Sequence, residues 1–356
     1  MKNEKSIFKG ALLTWHQLVN KRLMPWKGVK DPYKVWLSEI ILQQTRVEQG
    51  TKYYHDFLRN FPTINDLASA SEDEVLRLWQ GLGYYSRARN LHFTAKDIVK
   101  NYKGQFPQSF IELLKLKGVG RYTAAAIASF VYKEPVAVVD GNVIRVLSRY
   151  LGIDTPFDTG KGRKIFENKA NELLDKENPD KFNQAIMDFG ATVCKPKKPS
   201  CEVCPLALNC LAYNEYRVSS LPVRKNRVQS RSRYFFAFHI ENEKGLAIEQ
   251  RTDKDIWQGL YQLPLQEVKS YETNLSTQIE RALWLTFQEN DINYLAHSPV
   301  FKQQLSHQKI HIIFVKIALP HPFNDRLNYT YTRNLTKFAL PKIFILYLQG
   351  KSLILD

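Results

Sequence analysis

Two hydrophobic patterns follow one another along the chain. Up to about residue 210, apolar positions recur at helical spacing. Asp31-Pro32 opens a long periodic segment, with Asp suited to an N-cap and Pro to the first helical position. Trp36, Ile40 and Val47 keep that spacing to about Asn60, which predicts one continuous helix. Val143, Val146, Leu147 and Tyr150 fall on one face of a further amphipathic helix. Pro62, Gly81-Leu82-Gly83, Pro107 and Gly118-Val119-Gly120 punctuate the helical stretches. Beyond about residue 233 the pattern changes. Tyr234–Ile240 and Ile310–Ile317 are runs of aromatic and β-branched residues and read as strands. The expected division is a mostly helical region over 1–216, a linker over 217–232, and an α+β domain over 233–356. No fixed-period repeat or low-complexity tract occurs.

Composition narrows the class. With 356 residues, 44% hydrophobic and 24% charged, the chain can bury a real core and is not a disordered one. No run approaches the roughly 18 apolar residues that a membrane-spanning helix needs. Met1 to Gly10 is charged and lacks an apolar signal core, so a cytoplasmic rather than a secreted protein is expected. The net charge of +16 points to a polyanionic partner. Between Arg217 and Arg233 lie six basic residues and no acidic one. Such a linker can follow a phosphate backbone, although a merely solvated charge run has the same composition.

All four cysteines, Cys194, Cys201, Cys204 and Cys210, fall in the pattern C-x6-C-x2-C-x5-C. A disulfide framework spreads its cysteines along a short secreted chain, whereas four thiolates in one loop suit a metal site. Zinc and a 4Fe–4S cluster both accept that donor set.

Leu116-Lys-Gly-Val-Gly-Arg-Tyr-Thr-Ala124 reads as a helix end, a tight turn at Gly118 and Gly120, and a small-residue helix start. Glycines let backbone N–H groups approach a phosphate, and the helix N-terminus favours the anion. This is a helix-hairpin-helix, a sequence-independent grip on a DNA backbone. Asp140, 18 residues after Tyr122, stands before another helix. It suits an N-cap, and the helix dipole would hold it ionised. In Ser38-Glu39-Ile-Ile-Leu-Gln-Gln-Thr-Arg46, a continuous helix puts Glu39, Gln43 and Arg46 on one face. Leu37, Ile40, Ile41 and Leu42 flank Glu39, and desolvation raises a carboxyl pKa toward the range of a general acid. An ordinary helix carboxylate paired with Arg46 is the plainer alternative.

Glu39 in SEIILQQTRV, Trp79-Gln-Gly-Leu-Gly-Tyr-Tyr-Ser-Arg87, the hairpin, VDGNVIRVLSR and the four-Cys loop come in an order that resembles the helix-hairpin-helix DNA glycosylase superfamily. The full set is similar to the adenine DNA glycosylase (MutY) family, closely over residues 1 to about 212 and more loosely over 233–356. The resemblance implies a mostly α helix-hairpin-helix glycosylase region with a 4Fe–4S cluster held by the four cysteines. It also implies a C-terminal α+β, Nudix-like domain that reads the opposite base. Glu39 would protonate a flipped adenine, and Asp140 would stabilise a deoxyribosyl cation. Tyr122 and Asn142 would orient both. Gln44 and Tyr84 match the family's wedge positions, and Ser306 with His307 its opposite-base loop, Leu305 replacing a Phe.

The endonuclease III branch carries an imine-forming Lys at the place of Tyr122, so a monofunctional enzyme is implied. No Glu-Glu pair follows residue 233, which disfavours Nudix hydrolysis. Met24-Pro-Trp-Lys27 stands where the family usually has Leu-Pro-Trp-Arg, with Lys27 a point-charge contact to phosphate or base. The implied partner is double-stranded DNA containing 8-oxoguanine:adenine or guanine:adenine mispairs. The expected state is a monomer without membrane association, in bacterial cytoplasm at the nucleoid. The competing readings are a bifunctional endonuclease III-like glycosylase/lyase and a non-catalytic, cluster-bearing DNA-binding protein.

Overall fold

The computed structural model describes residues 2–225, 230–289, 292–319 and 329–350, with side chains from residue 5 onward. It opens with α1 (Lys2–Leu18) and an irregular stretch to Lys30. Asp31 then caps α2 (Pro32–Ile41), its Oδ1 accepting from the N–H of Tyr33 at 2.9 Å. The continuous helix expected to Asn60 is not formed. The chain breaks over 42–46, and α3 (Val47–Asn60) starts afresh. Gln44 sits in the break with a left-handed backbone, φ 58°. Glu39, Gln43 and Arg46 therefore do not share one helix face. Apolar spacing runs straight across the break, so periodicity alone could not reveal it.

The helical part continues through α4 (Ile64–Ser69), α5 (Glu72–Leu78), α6 (Ser86–Tyr102) and α7 (Phe110–Leu113). After the glycine turn come α8 (Arg121–Phe130), α9 (Gly141–Tyr150), α10 (Gly160–Leu173), α11 (Pro179–Thr192) and the short α12 (Leu211–Asn214). Phe8 and Leu12 of α1, Val146, Leu147 and Tyr150 of α9, and Phe182 and Phe189 of α11 share one core. The apolar stripe read on α9 is thus the buried one.

In the C-terminal part, β1 (Arg231–Asn242) and β7 (Gln308–Ala318) lie parallel, in register from Arg231↔Gln308 to Ile240↔Ile317. Near-continuous apolar runs suit strands covered on both faces. β2 (Gly245–Gln250) and β4 (Leu265–Val268) pair antiparallel with β1; β5 (Asn293–His297) and β6 (Phe301–Gln304) pair antiparallel with β7. β3 (Tyr261–Gln262) and β8 (Thr330–Thr332) flank β2. On one face, α13 (Leu275–Phe287) brings Ile279 and Leu283 against Phe236, Phe238 and Ile313. On the other, Phe344 and Tyr347 of α14 (Lys342–Gly350) pack on Phe314.

The chain forms two compact units, and they are not contiguous in sequence. Met1–Ser69 with Asn90–Arg227 makes one; Ala70–Arg89 with Val228–Asp356 makes the other. Within the second unit, Arg89 donates to the carbonyl of Gln258 at 2.6 Å, and the N–H of Leu340 donates to Gln80 Oε1 at 3.0 Å. The proposed basic linker is less free than its composition suggests. Arg217 pairs with Glu215 at 2.8 Å, and Arg233 is buried in β1 against Glu267 and Asp255. Arg227 of that run lies outside the described residues.

Candidate active site

In the first unit a cavity of about 350 Å³ opens between the 22–30 stretch, α2, α8, the start of α9 and α11. Glu39, Tyr122, Asp140 and Asn142 all line it. α2 and α8 carry Glu39 and Tyr122 to this cavity; the apolar neighbours of Glu39 signalled its burial, whereas Tyr122 was placed by the resemblance alone.

Glu39 is only 5% exposed, and burial pushes its carboxyl pKa up to about 7. The Tyr122 hydroxyl donates to Glu39 Oε2 at 2.5 Å. Burial holds the Tyr122 phenol well above its ordinary range, so it stays a protonated donor. With Oε2 so occupied, Oε1 is left to carry the acid proton.

Asp140 caps α9: its Oδ1 accepts from the N–H of Val143 at 2.8 Å, and its Oδ2 from Asn142 Nδ2 at 2.7 Å. Burial raises its pKa above the ordinary carboxylate value, while these hydrogen bonds and Arg145 act in the opposite sense. The helix start therefore orients Asp140 but does not by itself hold it strongly ionised, as the sequence suggested. Asn142 is fixed in turn by Arg145, whose Nη2 donates to Asn142 Oδ1 at 2.8 Å and whose Nε donates to the Cys194 carbonyl at 2.7 Å. Gly190 of α11 permits this approach, because a Cβ there would meet Asn142 Cβ at 2.7 Å.

In the hairpin, Gly118 is required twice over: its φ is +76°, and a Cβ would collide with Asn90 Cβ at 2.7 Å. Gly120 has an ordinary backbone (φ −83°) and faces open space at the N-cap of α8. It needs no special conformation; a side chain there would instead cover the helix N-terminus. Arg121 forms a two-point ion pair with Glu167, at 2.8 and 3.1 Å.

Gln44 and Tyr84, for which the sequence resemblance implied a wedge role, are both exposed and both left-handed, with φ of 58° and 50°. Such backbones in non-glycine residues are uncommon and cluster at functional sites. The Arg87 guanidinium lies 5.7 Å from the Tyr84 ring and 5.0 Å from the Trp79 ring. Ser306 and His307 sit exposed in the hairpin between β6 and β7, and the N–H of Arg231 donates to the His307 carbonyl at 3.0 Å.

Cys194, Cys201, Cys204 and Cys210 line one small cavity together with Arg149. Burial and then the other three thiols push Cys204 up to about 11. Arg149, 3% exposed, donates to Cys194 Sγ at 3.4 Å and to the carbonyls of Lys195, Pro196, Val218 and Leu221 at 2.8 to 3.2 Å. Among the described residues, no group of three or more His, Cys, Asp or Glu is placed to hold a single metal ion.

Three residues of this site escaped the sequence reading: Arg145, Arg149 and Asp188. The two arginines stand four apart on α9 and are buried, which is an odd feature in an amphipathic helix. The acceptors of the Arg149 side chain, and the Cys194 and Gly190 carbonyls that Arg145 reaches, lie 45 residues or more downstream, so little that is local identifies them. Asp188 on α11 is fully buried and accepts from Arg22 Nη1 and Lys27 Nζ, each at 2.9 Å. Lys27 is accordingly tied to Asp188, whereas the sequence reading gave it to phosphate or base.

Comparison with known proteins follows the same lines. Residues 37–176 match the profile of the HhH-GPD superfamily base excision DNA repair protein. The adenine DNA glycosylase of Buchnera aphidicola subsp. Acyrthosiphon pisum (strain APS) is 35% identical over 317 residues, covering 89% of this chain and 88% of its own. The human adenine DNA glycosylase is 43% identical over 219 residues, 59% of this chain and 40% of its own. Among solved structures, a thermostable thymine-DNA glycosylase superposes with a TM-score of 0.56 at 29% identity, over 60% of this chain and 98% of its own. A non-covalent endonuclease III–DNA complex superposes with a TM-score of 0.52 at 22% identity, over 60% of this chain and 97% of its own, and so shares the fold.

Proposed function

The chain belongs to the adenine DNA glycosylase family, and on that premise we propose that it excises adenine paired with 8-oxoguanine or guanine and leaves the strand uncut. One observation carries the chemistry: a buried carboxyl with a pKa near 7, hydrogen-bonded to Tyr122, shares a cavity with Asp140. Two carboxylates with different protonation needs are the logic of glycosidic cleavage. Glu39 gives its proton to the adenine ring and makes it a neutral leaving group. Asp140, held at both oxygens by Asn142 and Val143, faces the cation that builds on the deoxyribose. The base reaches this cavity only after leaving the stack, and Gln44 and Tyr84 are the residues proposed to fill the gap. The hairpin glycines and the N-terminus of α8 supply the backbone grip.

Tyr122 cannot form an imine, so the product is an abasic site and not a nick. The test is a duplex with a single 8-oxoguanine:adenine pair. Strand breaks should appear only after alkali; breaks without alkali, or a borohydride-trapped protein–DNA adduct, would show a lyase instead.

Four thiols around one cavity, with a guanidinium beside them, fit a 4Fe–4S cluster, one thiolate to each iron. Cys194, Cys201, Cys204 and Cys210 would hold such a group, and it would supply a rigid, charged core for the loop. The mixed sheet with a helix on each face supports a Nudix-like C-terminal domain. The proposed place of work is the bacterial cytoplasm, at the nucleoid, as a monomer. Among the described residues no helix is long and apolar enough to cross a membrane.

Ser306 and His307 carry the proposed reading of the opposite base. A hydroxyl and an imidazole can each donate or accept, and so can sense the N–H and carbonyl that distinguish 8-oxoguanine from guanine. Replacing both with Ala should erode the preference for 8-oxoguanine:adenine over guanine:adenine by roughly 1–3 kcal/mol. Competitive binding to the two duplexes measures it, and an unchanged ratio refutes the assignment.

A further inference from the structure

Asp188 is the fully buried carboxylate that the chemistry above does not use. It stands on α11, and the irregular stretch after α1 wraps around it. Asn20 Nδ2 and Lys27 Nζ donate to its Oδ2 at 2.9 Å, Arg22 Nη1 donates to its Oδ1 at 2.9 Å, and His16 Nε2 lies 3.5 Å away. The stretch is also sewn to itself: Lys27 Nζ donates to the Arg22 carbonyl at 3.2 Å, and the Arg22 N–H to Asn20 Oδ1 at 3.1 Å. His16, Arg22 and Lys27 line the same cavity as Glu39 and Asp140. So the wall of a cavity whose reaction creates positive charge carries cations of its own.

That arrangement is a problem unless the cations are neutralised. An uncompensated cation favours the ionised form of a neighbouring carboxyl and opposes a developing cation. Glu39 works as an acid only while it holds its proton. Burial alone would raise the Asp188 carboxyl; the hydrogen bonds from Lys27 and Asn20, with His16 beside it, reverse that and hold it well below the usual carboxylate range. It is therefore a permanent anion, set against the wall's cations.

We propose that Asp188 is a positioning residue that neutralises Arg22 and Lys27 and keeps the base cavity from turning cationic, so that Glu39 stays protonated at neutral pH. This rests on the glycosylase reading above. The other charges around Glu39 are accounted for. Tyr122 reaches it from α8 and Asp140 from the start of α9. Lys30, also on the wall, is held by Asp180 at 2.9 Å. Lys181 of α11 lines the cavity as well and stays in place in every variant.

The measurement is single-turnover excision against pH, on a duplex with one 8-oxoguanine:adenine pair, for wild type and Asp188→Asn. In wild type the rate falls as pH rises through the Glu39 pKa. In Asp188→Asn that fall should begin about one pH unit lower, making the variant about tenfold slower than wild type at pH 8 beyond any loss seen at pH 5.5. Adding Lys27→Met to Asp188→Asn should bring the fall back toward the wild-type position. An equal loss at every pH would mean that Asp188 only props the loop, and would overturn the proposal. Should Asp188→Asn fail to fold, Lys27→Met alone decides: with Asp188 retained, the fall should move to higher pH, and an unmoved profile overturns the proposal. If wild type excises nothing, the glycosylase reading itself fails, which is a distinguishable result.

Discussion

Glu39→Gln should slow single-turnover adenine excision by about 10²–10⁴-fold, the usual worth of a general acid. The substitution keeps the shape and still accepts the Tyr122 hydroxyl, but it has no proton to give. Duplex affinity should stay within a few-fold, because the side chain is buried in the cavity and not on the DNA-gripping surface. Excision within threefold of wild type would remove Glu39 from the mechanism. The same change should make the fold more stable at high pH. Burial raises the Glu39 pKa from 4.5 to about 7. Between those values the folded protein holds a proton that the unfolded chain has released. Stability is therefore lost as pH rises through that window. Gln carries no such penalty, so denaturant unfolding at pH 8 should show a gain of about 1–3 kcal/mol. Activity lost while stability is gained is the signature of a residue kept for chemistry.

Arg149→Met should have the largest effect on stability, about 3–5 kcal/mol, in the range for breaking a buried charged network. The guanidinium satisfies four carbonyls from Lys195 to Leu221, besides the Cys194 sulfur. Met fills similar space but donates nothing, and the partly buried carbonyls, with the buried one of Leu221, are left without their donor. The cysteine loop and the 217–221 stretch would part from α9. Limited proteolysis should then cut within 195–221 before anything else, and the unfolding midpoint should fall. A midpoint within 2 °C of wild type, with no early cleavage, would contradict this account.

Much of this site was legible in sequence because its signals are local. Asp140 announced itself as an N-cap, and the structure gives it that cap. Glu39 stood among apolar neighbours, and it is buried. Gly118 needed a conformation that only its residue type adopts readily, and it has it. The two long strands kept their aromatic and β-branched composition. What stayed hidden depends on partners far away in the chain. Asp188 meets donors more than 160 residues upstream. The break after Ile41 lies under an unbroken apolar rhythm, because α3 resumes with its buried face in nearly the same phase. Residues 70–89 looked like part of one helical region, since helical spacing says nothing about which core a helix joins.

That last segment has a consequence for how the protein is made. Val75, Leu76 and Trp79 are buried in the finished protein. Several of the segment's partners, at Gln250, Gln258 and Leu340, lie well over 150 residues further along the chain. A ribosome adding about 5–20 residues per second therefore releases these side chains many seconds before their partners exist. During that interval the segment bearing Tyr84 has only its local contacts, such as Trp79 Nε1 to the Gly83 carbonyl at 3.0 Å. A nascent chain stopped short of its C-terminus would keep the apolar face of this segment's helix exposed. Completion of synthesis thus becomes a checkpoint: the segment that carries Tyr84 gains these partners only when the last strands and helix have arrived.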